Sequence, residues 1–237
     1  MGILWHFFIE GSIAMYEILS MDGPEVAPLS GGAPKQLVIF LHGVGADGTD
    51  LIGLAEEFSE ILPDAHFLSP HAPFYCDMAP MGRQWFSLQD RDMAHMITGI
   101  NACKPLLNNY IDGALDRFRL TMNDLIIIGF SQGTMMALHT LLTRAQPCAG
   151  IIGYSGAIIS SAEFVKEITA HPPVCLVHGE QDDVVPFAAM VDAEATLLKA
   201  DIDVEAHPQR GMGHTINAQG IDAACMFLQK VLLLQGA

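Results

Sequence analysis

Short apolar runs recur along the chain, each bounded by glycine, proline or charged residues. Gln36–Leu41, Ala65–Ser69, Leu125–Ile128, Gly150–Tyr154, Pro173–His178 and Val204–His207 have strand length and little polar interruption. Such runs suit parallel strands covered on both faces. A further short edge strand is predicted over Tyr16–Met21. Between the runs the period changes. From Met93 to Arg119, Met96, Ile100, Cys103, Leu107, Ile111, Ala114 and Phe118 recur at steps of three and four, which predicts one apolar helix face. Pro105 is expected to kink or split that helix. Helices are also predicted over Leu51–Glu60, with Thr49 and Asp50 placed to cap it, and over Thr134–Arg144, Phe187–Ala200 and Asn217–Leu234. Val191, Ala195 and Leu198 fall on one face of the 187–200 helix. Asp22–Pro34 and Pro70–Asp90 read as loops. Strands that alternate with helices predict one mostly parallel sheet with helices on both sides.

Composition narrows the class. The chain has 237 residues, 51% hydrophobic and 16% charged, a length that suits a single large core. Acids outnumber bases 27 to 11, giving a formal net charge of −16. That balance argues against nucleic acid and against stable docking on anionic membranes. The five cysteines, Cys76, Cys103, Cys148, Cys175 and Cys225, form no C-x-x-C pair and sit mostly among apolar neighbours. They read as free thiols in a reducing, cytoplasmic setting. The histidines show no metal-ligand spacing, so no metal and no cofactor is expected. Residues 1–14 carry Trp5, Phe7, Phe8 and Ile9 but no Lys or Arg, unlike a secretory signal. They read as an extension, either separate or a short apolar helix resting on the body, with one domain spanning 15–237.

The chemistry centres on Gly129-Phe130-Ser131-Gln132-Gly133, a G-x-S-x-G pentapeptide between an apolar strand and a helix. Glycine two places either side of a serine permits a turn tight enough to lift the hydroxyl clear of the sheet. Taken alone, the same five residues are also an ordinary turn between core elements. Three other loops at strand ends carry reactive or backbone-rich groups: His42–Gly48, the Asp182–Asp183 loop, and the loop bearing His214. The order serine, aspartate, histidine is that of an α/β-hydrolase triad. A serine hydroxyl needs a base, the base needs a carboxylate to hold its tautomer, and the developing oxyanion needs two N–H donors. The Gln132 N–H is one expected donor, and the glycine-rich 42–48 loop supplies the other. That loop lacks the G-K-[ST] ending of a nucleotide-phosphate loop. His42 and His178 each precede glycine at a strand end and read as loop buttresses. Trp85 and Phe86, in the long 70–90 loop, either wall an apolar substrate pocket or anchor the loop to the body.

These segments resemble the carboxylesterase, lysophospholipase and acyl-protein thioesterase family of α/β hydrolases. The resemblance is carried by Leu41-His42-Gly43-Val44-Gly45-Ala46-Asp47-Gly48, by Phe130-Ser131-Gln132-Gly133, by Tyr154-Ser155-Gly156, by His178-Gly179-Glu180-Gln181-Asp182-Asp183-Val184-Val185-Pro186 and by Gly213-His214-Thr215-Ile216. It covers the chain from about residue 16 to the end. It implies an α/β-hydrolase fold with Ser131 as nucleophile, Asp182 rather than Asp183 as acid, and His214 as base. It implies Val44 as the second oxyanion donor and Trp85 as a pocket aromatic. Pairing of two copies near the active site is implied as well. The expected activity is hydrolysis of carboxylic esters of short to medium acyl chains through an acyl-enzyme on Ser131. The low content of basic residues favours soluble esters. Lysophospholipids and acyl-protein thioesters are the alternative substrates, and a hydrolase-fold binding protein without turnover is the alternative of another class.

Overall fold

In a computed structural model, which describes residues 3–4, 17–159 and 161–235, seven strands form the main sheet. They are β1 (Glu25–Val26), β2 (Gln36–Leu41), β3 (Ala65–Leu68), β4 (Leu125–Phe130), β5 (Gly150–Tyr154), β6 (Val174–Gly179) and β7 (Val204–Gln209). Their order in space is β7-β6-β5-β4-β2-β3-β1, parallel throughout except for β1, which runs antiparallel to β3. Six helices connect and cover them: α1 (Ala55–Ser59), α2 (Met93–Phe118), α3 (Gln132–Leu141), α4 (Ser161–Phe164), α5 (Ala188–Lys199) and α6 (Ala218–Gln235).

Period-two alternation divides the central strands between two cores. Leu37, Ile39 and Leu41 of β2, with Leu125 and Ile127 of β4, bury themselves with Ile100, Cys103, Leu107 and Ile111 of α2 and with Met190 and Leu197 of α5. Val38, Phe40, Ile126 and Ile128 face the opposite layer, with Phe58 of α1 and Phe227, Leu228 and Val231 of α6. Removing such a side chain from water stabilises the fold by about 1.5–3 kcal/mol. This doubly covered burial explains why β2 and β4 read as unbroken apolar runs.

The chain order of the strands also places the site. From β2 the chain moves outward to β3, then returns across β2 to β4 and continues through β5, β6 and β7. The order therefore reverses between β2 and β4. Loops leaving adjacent parallel strands in opposite directions open a crevice at their carboxyl ends, where ligands bind in open α/β sheets. The 42–48 loop leaves β2 there and Ser131 leaves β4.

Several predicted elements differ from the structure. The strand expected over Tyr16–Met21 is confined to Glu17–Ile18 and pairs with Ile3–Leu4, apart from the main sheet. Most of the 1–14 extension lies outside the described residues, and its described part, Ile3–Leu4, is strand rather than helix. The antiparallel edge is instead Glu25–Val26, inside a predicted loop, and Arg117 of α2 pairs with Glu25 through both guanidinium nitrogens. The 70–90 loop contains a small hairpin, Phe74–Tyr75 with Arg83–Gln84. The 51–60 helix is a turn of 3-10 helix over Ile52–Leu54 followed by α1, and no side chain caps α1.

Helix α2 runs unbroken through Pro105 from an Asp92 cap, whose carboxylate accepts from the Ala94 N–H, to Arg119, which ends it at φ 56°. Pro105 and Asn101 both lie on the exposed side, so the Asn101 carbonyl released by the missing N–H faces water. In α5 the inner face belongs to Met190, Ala193, Thr196 and Leu197, while Val191, Ala195 and Leu198 are exposed. Both sets repeat at helical spacing, so periodicity did not distinguish them. Among the described residues, no helix is long and apolar enough to cross a membrane.

Candidate active site

Ser131 sits between β4 and α3 at φ 54°, ψ −117°. A non-glycine residue is strained at that φ, and the surroundings must hold it there. They do so by close packing. A Cβ on Gly133 would lie 1.9 Å from the Leu41 carbonyl oxygen, and one on Gly129 would lie 2.5 Å from the Thr134 nitrogen. The Ser131 N–H donates to the Tyr154 carbonyl of β5 at 2.9 Å. The elbow is therefore clamped by its neighbours on both sides.

The 42–48 loop lies directly against it. A Cβ on Gly43 would stand 3.4 Å from Ser131 Cβ. The buried His42 ring staples the loop. Its Nδ1–H donates to the Gly43 carbonyl at 2.7 Å, and its Nε2 accepts the Ala72 N–H at 3.0 Å, which selects the neutral Nδ1–H tautomer. Burial pushes its pKa down to about 4, against a smaller opposing effect of the Gly43 bond. The hairpin locks the far end of the loop: Gly45 N–H donates to Arg83 O, and Arg83 N–H donates to Ala46 O, both at 2.8 Å. Among the described residues, the Val44 and Gln132 N–H groups have no protein acceptor. The Gln132 N–H is one of the free donors at the start of α3.

The loops bearing Asp182 and His214 meet through their side chains. Asp182 Oδ2 accepts from His214 Nδ1 at 2.7 Å, and Asp182 Oδ1 accepts from the Val184 and Val185 N–H groups at 2.9 and 2.8 Å. Burial opposes the charge on Asp182, but the His214 bond and the two backbone donors outweigh it, and the carboxyl lies below its ordinary value. Asp183 points to solvent. Gly179 lets the two loops approach, since a Cβ there would be 2.1 Å from the Met212 carbonyl oxygen. The His214 ring rests on Phe130, with centroids 4.9 Å apart. Its Nδ1–H is committed to Asp182, so Nε2 carries the lone pair that a base needs. Among the described residues, no hydrogen bond joins Ser131 to His214; bonds of this kind often close only around a bound molecule.

Of the two roles the sequence offered for Trp85 and Phe86, the structure describes the anchor of the loop to the body. Their side chains are buried, 0% and 1% exposed, in the core beneath the site. The Trp85 indole N–H donates to the His42 carbonyl at 2.9 Å. The buried Gln132 side chain accepts the Trp85 N–H at 2.9 Å and donates to the Phe86 carbonyl at 2.8 Å. The residue after the serine thus bonds the 85–86 backbone as a neighbouring strand would, a role that sequence reasoning missed. The signal was a glutamine at a position with no water. The exposed apolar side chains of this loop are Tyr75, Met78 and Met81. Met81 lines a depression of about 420 Å³ with Gly45, Ala46, Asp47 and Thr49, and Ser131 does not border it. Among the described residues, no cluster of three or more His, Cys, Asp or Glu is arranged to hold a metal ion.

Residues 23–232 match the family model described as phospholipase/carboxylesterase, an α/β-hydrolase group. The chain belongs to this family. The phospholipase/carboxylesterase fold and the serine-hydrolase chemistry of carboxylic esters follow from that membership. An acyl-protein thioesterase 1 of Gibberella zeae is 30% identical over 90% of this chain and 98% of its own length. Esterase YpfH of Escherichia coli is 27% identical over 80% of each chain. Among solved structures, esterase PE8 superposes with a TM-score of 0.86 at 38% identity, over 90% of this chain and all of its own.

Proposed function

We propose that Ser131 is the nucleophile of an esterase whose base is His214 and whose acid is Asp182. The observation that carries this reading is the 2.7 Å bond from His214 to a buried Asp182, together with a serine held at positive φ on the strand-to-helix turn. In the forward half-reaction Ser131 Oγ attacks the acyl carbon while its proton passes to His214 Nε2. The carbonyl oxygen becomes negative between the Val44 and Gln132 N–H groups. His214 then hands the proton to the leaving alkoxide, and an alcohol departs from the acyl-enzyme. Water repeats the sequence and releases the acid. Asp182 stays ionised throughout and stabilises the imidazolium.

The acyl chain is short to medium, and soluble esters are favoured over lysophospholipids and acyl-protein thioesters. The exposed Tyr75, Met78 and Met81 offer adaptable apolar surface beside the oxyanion loop, and the net charge of −16 offers nothing to an anionic lipid surface. Hydrolysis of p-nitrophenyl esters from acetate to decanoate by wild type and Ser131→Ala tests the mechanism and the chain length together. Turnover is expected to fall by a factor of about a thousand or more in the variant. Equal rates near background in both proteins, with no fluorophosphonate labelling of Ser131, would transfer the fold to a binding role. Faster release of fatty acid from lysophospholipid than from soluble esters would reverse the substrate preference.

The same reading places the enzyme in the cytoplasm, supported by five cysteines that are all free. It also expects two copies to pair. Val184, Val191 and Leu198, exposed beside the acid loop, are the apolar surface for that contact, and sedimentation equilibrium reads the stoichiometry directly.

A further inference from the structure

The mechanism uses one histidine on Asp182, and the structure places a second there. His178 lies one residue from the end of β6 with its side chain 1% exposed, and its Nε2 lies 3.2 Å from Asp182 Oδ2. The same nitrogen is 2.8 Å from the Val185 carbonyl oxygen. A carbonyl oxygen only accepts, so Nε2 carries the hydrogen and donates it to Val185, with the Asp182 carboxylate beside it. The carboxylate receives three hydrogen bonds, from the Val184 and Val185 N–H groups on Oδ1 and from His214 on Oδ2, and the His178 N–H stands beside them, 3.2 Å from Oδ2.

The origins of these donors differ. The two backbone donors belong to the turn that carries Asp182 and move with it. His214 is the group to be oriented. His178 is set apart because it belongs to a strand, hydrogen-bonded on both sides to β5 and β7. Phe187 packs against its ring nearly edge-on, with centroids 6.1 Å apart and planes at 80°. A rigid element thus holds the Val185 end of the 182–185 turn through one N–H and sets that N–H beside the Asp182 carboxylate.

We propose that His178 is a positioning residue for the reaction assigned above to Ser131, Asp182 and His214: it holds Asp182 Oδ2 aimed at His214 Nδ1. It touches neither substrate nor the reacting atoms. The inference rests on that assignment, and its test separates the two.

His178→Gln puts an amide N–H at the reach of Nε2, and His178→Asn leaves it short. Three quantities are compared with wild type: kcat and KM on p-nitrophenyl butyrate, thermal unfolding, and the downfield proton resonance of the His214–Asp182 hydrogen bond. Leaving the buried Val185 carbonyl unpaired beside the acid predicts kcat lower by about tenfold to a hundredfold in the Asn variant, with KM within about twofold. The Gln variant is expected to recover most of kcat. The downfield resonance persists in the Gln variant and broadens or disappears in the Asn variant. Equal kcat and equal resonances in folded Gln and Asn variants would overturn the proposal. So would a loss that tracks unfolding temperature and appears in KM as much as in kcat. If wild type hydrolyses no ester while the contrast in resonances remains, the assigned reaction falls and the positioning role of His178 stands.

Discussion

The side chain of Gln132 offers the sharpest test of how the fold builds the site. Gln132 is 0% exposed, and its amide satisfies the Trp85 N–H and the Phe86 carbonyl at 2.9 and 2.8 Å. Truncation in Gln132→Ala removes both partners at once and leaves two backbone groups buried without any. Each orphaned group costs about 1–3 kcal/mol, so the variant should lose roughly 2–6 kcal/mol. A domain is stable by only about 5–15 kcal/mol, so the change is large but need not unfold the protein at 25 °C. For a chain of this size it corresponds to a fall in Tm of roughly 5–20 °C. The backbone N–H of residue 132 survives the substitution, so activity reports position rather than chemistry. A displacement near 1 Å predicts kcat lower by up to about a hundredfold. Urea unfolding followed by tryptophan fluorescence reads the stability, because Trp85 is the reporter nearest the lesion. Gln132→Glu is the control. Its carboxylate still accepts the Trp85 N–H but sets a second oxygen against the Phe86 carbonyl. It should be destabilised at pH 7 and partly recover as acid protonates that oxygen. A loss below about 1 kcal/mol in Gln132→Ala would show that the 85–86 backbone does not depend on this side chain, and the link between that segment and the elbow would fail.

Other predictions concern the acid loop and acid stability. In Asp182→Asn, an amide oxygen kept on the Val184 and Val185 N–H groups turns the amide nitrogen toward His214 Nδ1–H, donor against donor, and forces the wrong tautomer; kcat should fall by about 10⁴, whereas Asp183→Asn should stay within about twofold. Steady-state kinetics on one ester decide it, and an Asp182→Asn variant within tenfold of wild type would remove Asp182 from the triad. The fold itself should weaken in mild acid. His42 and His139 are held neutral, burial being the main cause in each, with pKa values pushed down to about 4 and about 3 from 6.5. The unfolded chain binds protons on these groups below pH 6.5 while the folded one does not, so their contribution is complete above pH 6.5 and is lost as pH falls toward those values. The loss approaches an order of 3–5 kcal/mol per histidine at the low end. Urea midpoints that stay level between pH 7.5 and pH 4.5 would contradict it.

The sequence alone determined the layered α/β architecture, because β2, β4, β5 and β6 are covered on both faces and so spell nearly unbroken apolar runs, each followed by a helical period. It also brought Ser131, the 182–183 loop and His214 forward as candidates, because a tight turn demands glycine and carries a recognisable spelling. What it left undecided depended on neighbours distant in the chain. The face of α5 that turns inward was settled by packing, since Val191 and Leu198 repeat as regularly as Met190 and Leu197. The β1 edge strand is only two residues long and is held by a partner from β3 and a salt bridge from α2, neither visible in local pattern. Residue type and position left Asp182 and Asp183 side by side and only the resemblance preferred Asp182; in the fold one carboxylate is buried against His214 and the other meets water. The same holds for Gln132, Trp85 and His178. Their roles are hydrogen bonds across 46, 43 and seven positions, and a hydrogen bond is made by geometry that only the assembled fold supplies.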